Sequence, residues 1–157
     1  MTTSLRTAAL ASHPFLSAIP AESLRQLSIH AHGQVFVKGQ EIFREGQVAD
    51  QFILVRHGLV RLDAEVAGRG RVEVETLGAD SAIGWSWLFS PYRWHLSATA
   101  VERTTAIVFD ADVLRGLMAS DPVLGYELMR RFVAVLSDRL QATRRRLSAV
   151  DLIDISL

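Results

Sequence analysis

Apolar residues follow two spacings along the chain. From Gln34 to Phe109 they come in short bursts, and from Asp110 onward they recur at helical intervals. In Gly39-Gln40-Glu41-Ile42-Phe43-Arg44-Glu45-Gly46, and again from Gln51 through Leu62, strand-length runs of Val, Ile, Leu and Phe are cut at Gly39, Gly46 and Gly58. Glycine supplies the positive φ of a tight turn, so the segment predicts short antiparallel strands that double back. Asp63 to Val66 extends the last of them, and Gly68-Arg69-Gly70 reads as a hairpin turn. Arg71 to Glu75 alternates as a half-exposed strand should. Gly78, Ala79 and Asp80 form another turn, and two more strands are expected near Ser97–Val101 and Thr105–Phe109.

Helices flank this region. Residues 1–12 are small and polar and are expected to fray. His13 to Pro20 reads as a short turn bounded by prolines, and Ala21 to Ala31 as an amphipathic helix on Leu24, Leu27 and Ile29. Asp110 can cap a helix through Val113, Leu114, Leu117 and Met118. Asp121-Pro122 starts another, uninterrupted to about Val150, with 151–157 as a tail. Gly125 is a mild cost near its start. Leu124, Leu128, Phe132, Leu136 and Leu140 recur every four residues, and Met129, Val133 and Val135 widen the stripe. The predicted fold is α+β: an antiparallel β-roll of about eight strands (a jelly-roll) with short N-terminal helices and a long C-terminal helix. An apolar stripe that outruns its own domain often pairs with a copy of itself. A dimer contact through Leu124, Leu128, Phe132, Val135, Leu136 and Leu140 is therefore expected.

At 157 residues and 49% hydrophobic content, the chain is one folded domain rather than a disordered segment. Lys+Arg 17 balances Asp+Glu 17, so net charge gives no reason to expect nucleic-acid binding. The absence of cysteine excludes disulfides, thiol catalysis and cysteine-ligated iron–sulfur clusters. No apolar run approaches the roughly 20 residues of a membrane span. The start lacks the pattern of a signal peptide, so a cytoplasmic protein is expected.

The run Gly39, Ile42-Phe43, Glu45-Gly46, Asp50, Phe52 to Val55 and Gly58 resembles the cyclic-nucleotide-binding (CNB) domain, the sensor half of Crp/Fnr-type regulators. The resemblance spans about Phe15 to Val150. Where the family tends to have Gly-Pro-Gly-Asp and then Phe-Gly-Glu, Gly78-Ala79-Asp80-Ser81-Ala82-Ile83-Gly84-Trp85 sits in register. Asp80 takes a glycine position, and Asp tolerates positive φ better than most residues.

The resemblance implies a ligand site in the cassette after Gly84. A Glu directly after that Gly would hold the ribose hydroxyl, and an Arg further on would grip the cyclic phosphate with its planar fork. Trp85 stands at the Glu position, and the Arg position falls on or near Leu96. The candidate ligand contacts are therefore Gly84, Trp85, Ser86, Trp87, Arg93, His95, Leu96 and Ser97. Arg93 is either a relocated phosphate donor or a solvent-facing loop residue. Trp85, Trp87, Phe89, Tyr92 and Trp94 gather all three tryptophans of the chain. They could stack on a flat ligand, or fill a pocket that has none. The segment looks closer to the Fnr-like branch, whose sensor domains often lack the nucleotide pair.

Other chemistry finds little footing. His30-Ala31-His32 suggests a cupin metal site, but the glutamate and glycine that site wants nearby are missing. No phosphate loop, nucleophile elbow or zinc-protease motif occurs, so neither catalysis nor a metal is expected. Arg144-Arg145-Arg146 suits a helix C-terminus. The residues after 150 are too few for a helix-turn-helix, so a stand-alone sensor without direct DNA binding is expected, with the sensor part of a longer Crp/Fnr-type transcription regulator as the alternative. The resulting expectation is a non-enzymatic, homodimeric regulatory domain. It would bind a cyclic nucleotide (cAMP or cGMP) or another small ligand, or a partner protein, and signal through its last helix.

Overall fold

Glycine-punctuated strands and capped helices build the molecule seen in a computed structural model, which describes the backbone of residues 2–155 and the side chains of residues 7–149. Helix α1 (Thr2–Ser12), a 3-10 turn at Pro14–Leu16 and α2 (Ala21–His30) precede the strands. These are β1 (His32–Phe36), β2 (Glu41–Phe43), β3 (Gln51–His57), β4 (Val60–Val66), β5 (Gly70–Leu77), β6 (Ala82–Ile83), β7 (Ser97–Ala100) and β8 (Thr104–Asp110). Helices α3 (Ala111–Ser120) and α4 (Pro122–Ile155) follow. The strands pair antiparallel into two four-stranded sheets, ordered β1-β8-β3-β6 and β2-β7-β4-β5. This is the expected α+β roll.

The centre of the core is β3, where Phe52, Ile53, Leu54 and Val55 are all buried. Alternation is lost there because both faces of the strand are covered. One face looks into the roll. On the other, the Phe52 ring meets Phe15 of the N-terminal turn at 5.4 Å and Phe132 of α4 at 5.2 Å. At the opposite extreme, β5 is an edge strand with Val72 and Val74 exposed, more open than a half-exposed strand.

Turn chemistry follows the sequence. Asp80 has φ 69°. At Gly58 (φ 109°) a Cβ would lie 2.6 Å from the Thr104 Cα, so the β3–β4 turn admits only glycine. Asp110 Oδ1 accepts from the Val113 N–H at 2.9 Å and caps α3. Asp121 Oδ1 accepts from the Leu124 N–H at 3.1 Å and caps α4, with Pro122 in the first turn.

At three places the structure departs from the expected pattern. Residues 2–12 form a helix rather than a frayed end, and Leu10 is buried in the core. A run of small residues such as Ala8, Ala9 and Ala11 is helix-forming, which a reading by polarity misses. Helix α4 continues to Ile155, into the expected tail. Finally, Leu124, Leu128 and Phe132 are buried against the protein's own roll and are not free to meet a partner. Val135 packs partly on the same core. Gly125 gains a reason: a Cβ there would sit 2.8 Å from the Met118 carbonyl oxygen, so glycine lets α3 and α4 approach. No described helix is long and apolar enough to cross a membrane.

Candidate functional site

The segment from Gly84 to Leu96 leaves β6, makes a 3-10 turn at Ser86–Leu88 and enters β7. Arginines pin it from several sides. Arg115 of α3 donates to the Trp87 carbonyl and lies 4.2 Å over the Tyr92 ring. Arg93 Nη1 donates to the Gly46 carbonyl at 2.9 Å. Arg139 of α4 lies 4.8 Å over the Trp85 ring.

The aromatic residues do not form one stacking platform. Trp87 is fully buried between Phe52 at 5.1 Å and Phe132 at 5.6 Å. It is a core residue, and its indole Nε1 has no hydrogen-bond partner among the described residues. Phe89 is exposed. Trp94 is buried and stacks on Phe43 with centroids 3.8 Å apart and planes 10° apart. Its ring also covers Gly84, where a Cβ would lie 2.4 Å from Trp94 Cζ3. Only a glycine with φ 74° fits beneath it.

What remains beside this stack is a cavity of about 50 Å³. Of the expected contacts, Gly84, Trp85, Ser86, His95 and Leu96 line it together. Ser86 Oγ and His95 Nδ1 are 3.0 Å apart and share a hydrogen bond. Leu96, on or near which the resemblance implies an arginine, contributes only apolar wall. Trp87, Arg93 and Ser97 lie elsewhere: Trp87 in the core, Arg93 on the Gly46 loop, and Ser97 buried with its Oγ accepting from the Glu45 N–H at 3.0 Å.

Phe43, Leu62, Trp94 and Arg139 also line the cavity, and the sequence reading did not place them there. Phe43 and Leu62 had a signal, since both fall on roll strands with apolar neighbours. Arg139 had none: it reads as one more arginine on a basic helix. Its side chain is 17% exposed, with Glu75 Oε2 at 3.5 Å and the Ala82 carbonyl at 3.4 Å. Burial pulls its pKa below the ordinary guanidinium value, and the Glu75 carboxylate acts against that. The group keeps its charge regardless. The cavity thus joins aromatic walls to one poorly solvated cation.

Residues 34–121, more than half of the chain, match the model of the cyclic nucleotide-binding domain. The CRP-like cAMP-activated global transcriptional regulator of Mycobacterium tuberculosis is 29% identical over 121 residues, 76% of this chain and 52% of the regulator. The nitrogen fixation regulation protein FixK of Azorhizobium caulinodans is 34% identical over 114 residues, 71% of this chain and 43% of its own length. The chain therefore spans about half the length of these curated relatives. Among solved structures, a cyclic nucleotide-binding domain from Methylobacillus flagellatus superposes with a TM-score of 0.76 at 20% identity, covering 92% of this chain and 81% of that one. The regulatory domain of Toxoplasma gondii PKA, crystallised with cAMP, gives 0.70 at 19% identity over 90% of this chain and 50% of that one. Its matched residues place the chain in the cyclic nucleotide-binding domain family, with CRP-like regulators among its relatives.

Proposed function

We propose that the chain is a non-enzymatic regulatory domain whose roll does not take a cyclic nucleotide in the family's manner, and that α4 carries its output. One observation carries this reading: Trp94, stacked on Phe43 above Gly84, fills the roll and leaves about 50 Å³. Sites for drug-sized molecules run to roughly 300 Å³ or more. Trp85 and Leu96 at the two family positions offer neither a ribose acceptor nor a phosphate donor. The regulatory relatives support a non-enzymatic role. Calorimetric titration with cAMP and with cGMP tests it. No heat is expected at high micromolar nucleotide, and micromolar binding would overturn the reading. Loss of such binding in Arg93→Ala would then identify Arg93 as the phosphate donor.

The second element of the proposal is a homodimer along α4, on its exposed side rather than through the buried Leu124, Leu128 and Phe132. Tyr126, Val133, Leu140 and Leu147 are 65%, 60%, 54% and 61% exposed. They fall seven residues apart, and half-buried Met129 and Leu136 follow the first two by three. That is the seam of a two-stranded coiled coil, which suits a second copy of the same helix. The filled roll also supports a second reading, a ligand-free dimeric module that binds another protein.

A further inference from the structure

Arg139 stands where two spaces meet. Among the described residues it alone lines both the inner cavity and an open groove of about 420 Å³, bordered by Phe15, Ala82 and Val135. The groove is open to solvent. Acidic side chains, Asp80 and Asp138, line the groove, but none lines the inner cavity among the described residues.

The guanidinium has five N–H donors in a planar fork, and charge-assisted bonds normally close to about 2.8 Å. Its contacts with Glu75 and Ala82, at 3.5 and 3.4 Å, are both long. Much of its donor capacity is therefore unused while it is largely out of water. The pull of burial on its pKa points the same way. Across the cavity, the Ser86–His95 pair adds polar atoms at 3.0 Å from one another. With Ser86 donating to Nδ1, the imidazole carries its proton on Nε2 as a further donor. A space of this size holds roughly three to five water-sized atoms.

We infer that the inner cavity is a site for a small planar oxoanion of about four non-hydrogen atoms, a short carboxylate or an inorganic oxoanion, gripped by Arg139. The inference rests on the proposed reading of the roll as the regulatory site and names its ligand class. The anion replaces Glu75 as the partner of Arg139 and lies between the Trp85 ring and the Ser86–His95 pair.

The probes are sodium acetate and sodium nitrate, with acetamide as the neutral counterpart of acetate and ionic strength held constant with sodium chloride. The readout is tryptophan fluorescence, because Arg139 lies on the Trp85 ring, with calorimetry alongside. A saturable millimolar response to acetate or nitrate is expected, and none to acetamide. Arg139→Gln should weaken it by about tenfold or more, as loss of a charged fork implies. Glu75→Gln, on the edge strand, should strengthen it because the competing carboxylate is gone, and this variant keeps the test decisive if Arg139→Gln misfolds. Saturation by acetate alone identifies a carboxylate ligand, and by nitrate alone an inorganic one. No saturation by either, or a response unchanged in both variants, overturns the site. A protein that binds neither cAMP nor these anions overturns the anion site only, whereas one that binds cAMP and ignores the anions overturns the proposed function as well.

Discussion

His13 Nδ1 accepts the Phe15 N–H at 3.2 Å, so the ring proton sits on Nε2 and is donated to the Val55 carbonyl at 2.9 Å. This single neutral imidazole, 3% exposed, ties the N-terminal turn to β3. Protonating Nδ1 would remove the acceptor for Phe15. Burial accordingly lowers the pKa from the ordinary 6.5, with the Val55 carbonyl and Asp80 pulling it up and Arg56 adding to the fall. Below 6.5 the unfolded chain binds the proton first. The contribution of His13 is therefore full above that pH and lost as pH falls through the lowered folded value. Thermal melts from pH 5 to 8 should show the wild type losing stability below pH 6.5 more steeply than His13→Gln. Equal slopes would mean that His13 does not set the acid limb. At this scale the sequence is only partly legible. Asp80 and Gly58 announce their backbone, because positive φ selects residue type directly. Trp94 and Arg139 do not, because a ring's direction and a helix's phase depend on contacts many residues away.

Helix α4 has two apolar stripes. Leu124, Leu128 and Phe132 repeat every four residues and pack on the roll, while Tyr126, Val133, Leu140 and Leu147 repeat every seven and stay exposed. Sequence reading merges them into one wide apolar face, since leucines at both spacings overlap near residue 136. The structure separates them, because the roll covers one side of the 34-residue helix and leaves the other open. Substitution should separate them too. Leu128→Ala empties a fully buried site and should cost about 2–5 kcal/mol in denaturant unfolding. Leu140→Ala should leave the folded protomer within about 0.5 kcal/mol of wild type at concentrations where it is monomeric. Equal losses would place Leu140 in the core. Most strands were legible for a simpler reason: their runs end at or near a glycine, so the boundaries are local.

For the whole molecule, the proposed coiled-coil seam makes stability depend on concentration. Sedimentation velocity should show a dimer for the wild type and a monomer for Leu140→Glu, whose charge cannot be buried unpaired in a helix seam. The wild-type melting temperature should also rise with protein concentration. A Leu140→Glu protein that sediments as wild type would move the interface elsewhere. The two-sheet roll itself, with Trp94 seated on Phe43, should be unaffected by this change, since no seam residue enters it.

Arg139 and Leu140 are sequence neighbours about 100° apart around the helix axis, one turned toward the cavity and the other toward solvent. That angular offset has a consequence for how the domain can be altered. One alanine inserted after Leu136 would turn everything beyond it by about 100°, withdrawing Arg139 from Trp85 and breaking the seam together. Seven inserted residues would return the azimuth to within about 20°, yet carry Arg139 some 10 Å along the axis, past the cavity mouth. The seam could survive that lengthening and the cavity contact could not. Position along α4 and rotation about it are thus separate constraints: the proposed dimer face needs only the correct phase, while the proposed ligand contact needs phase and height together.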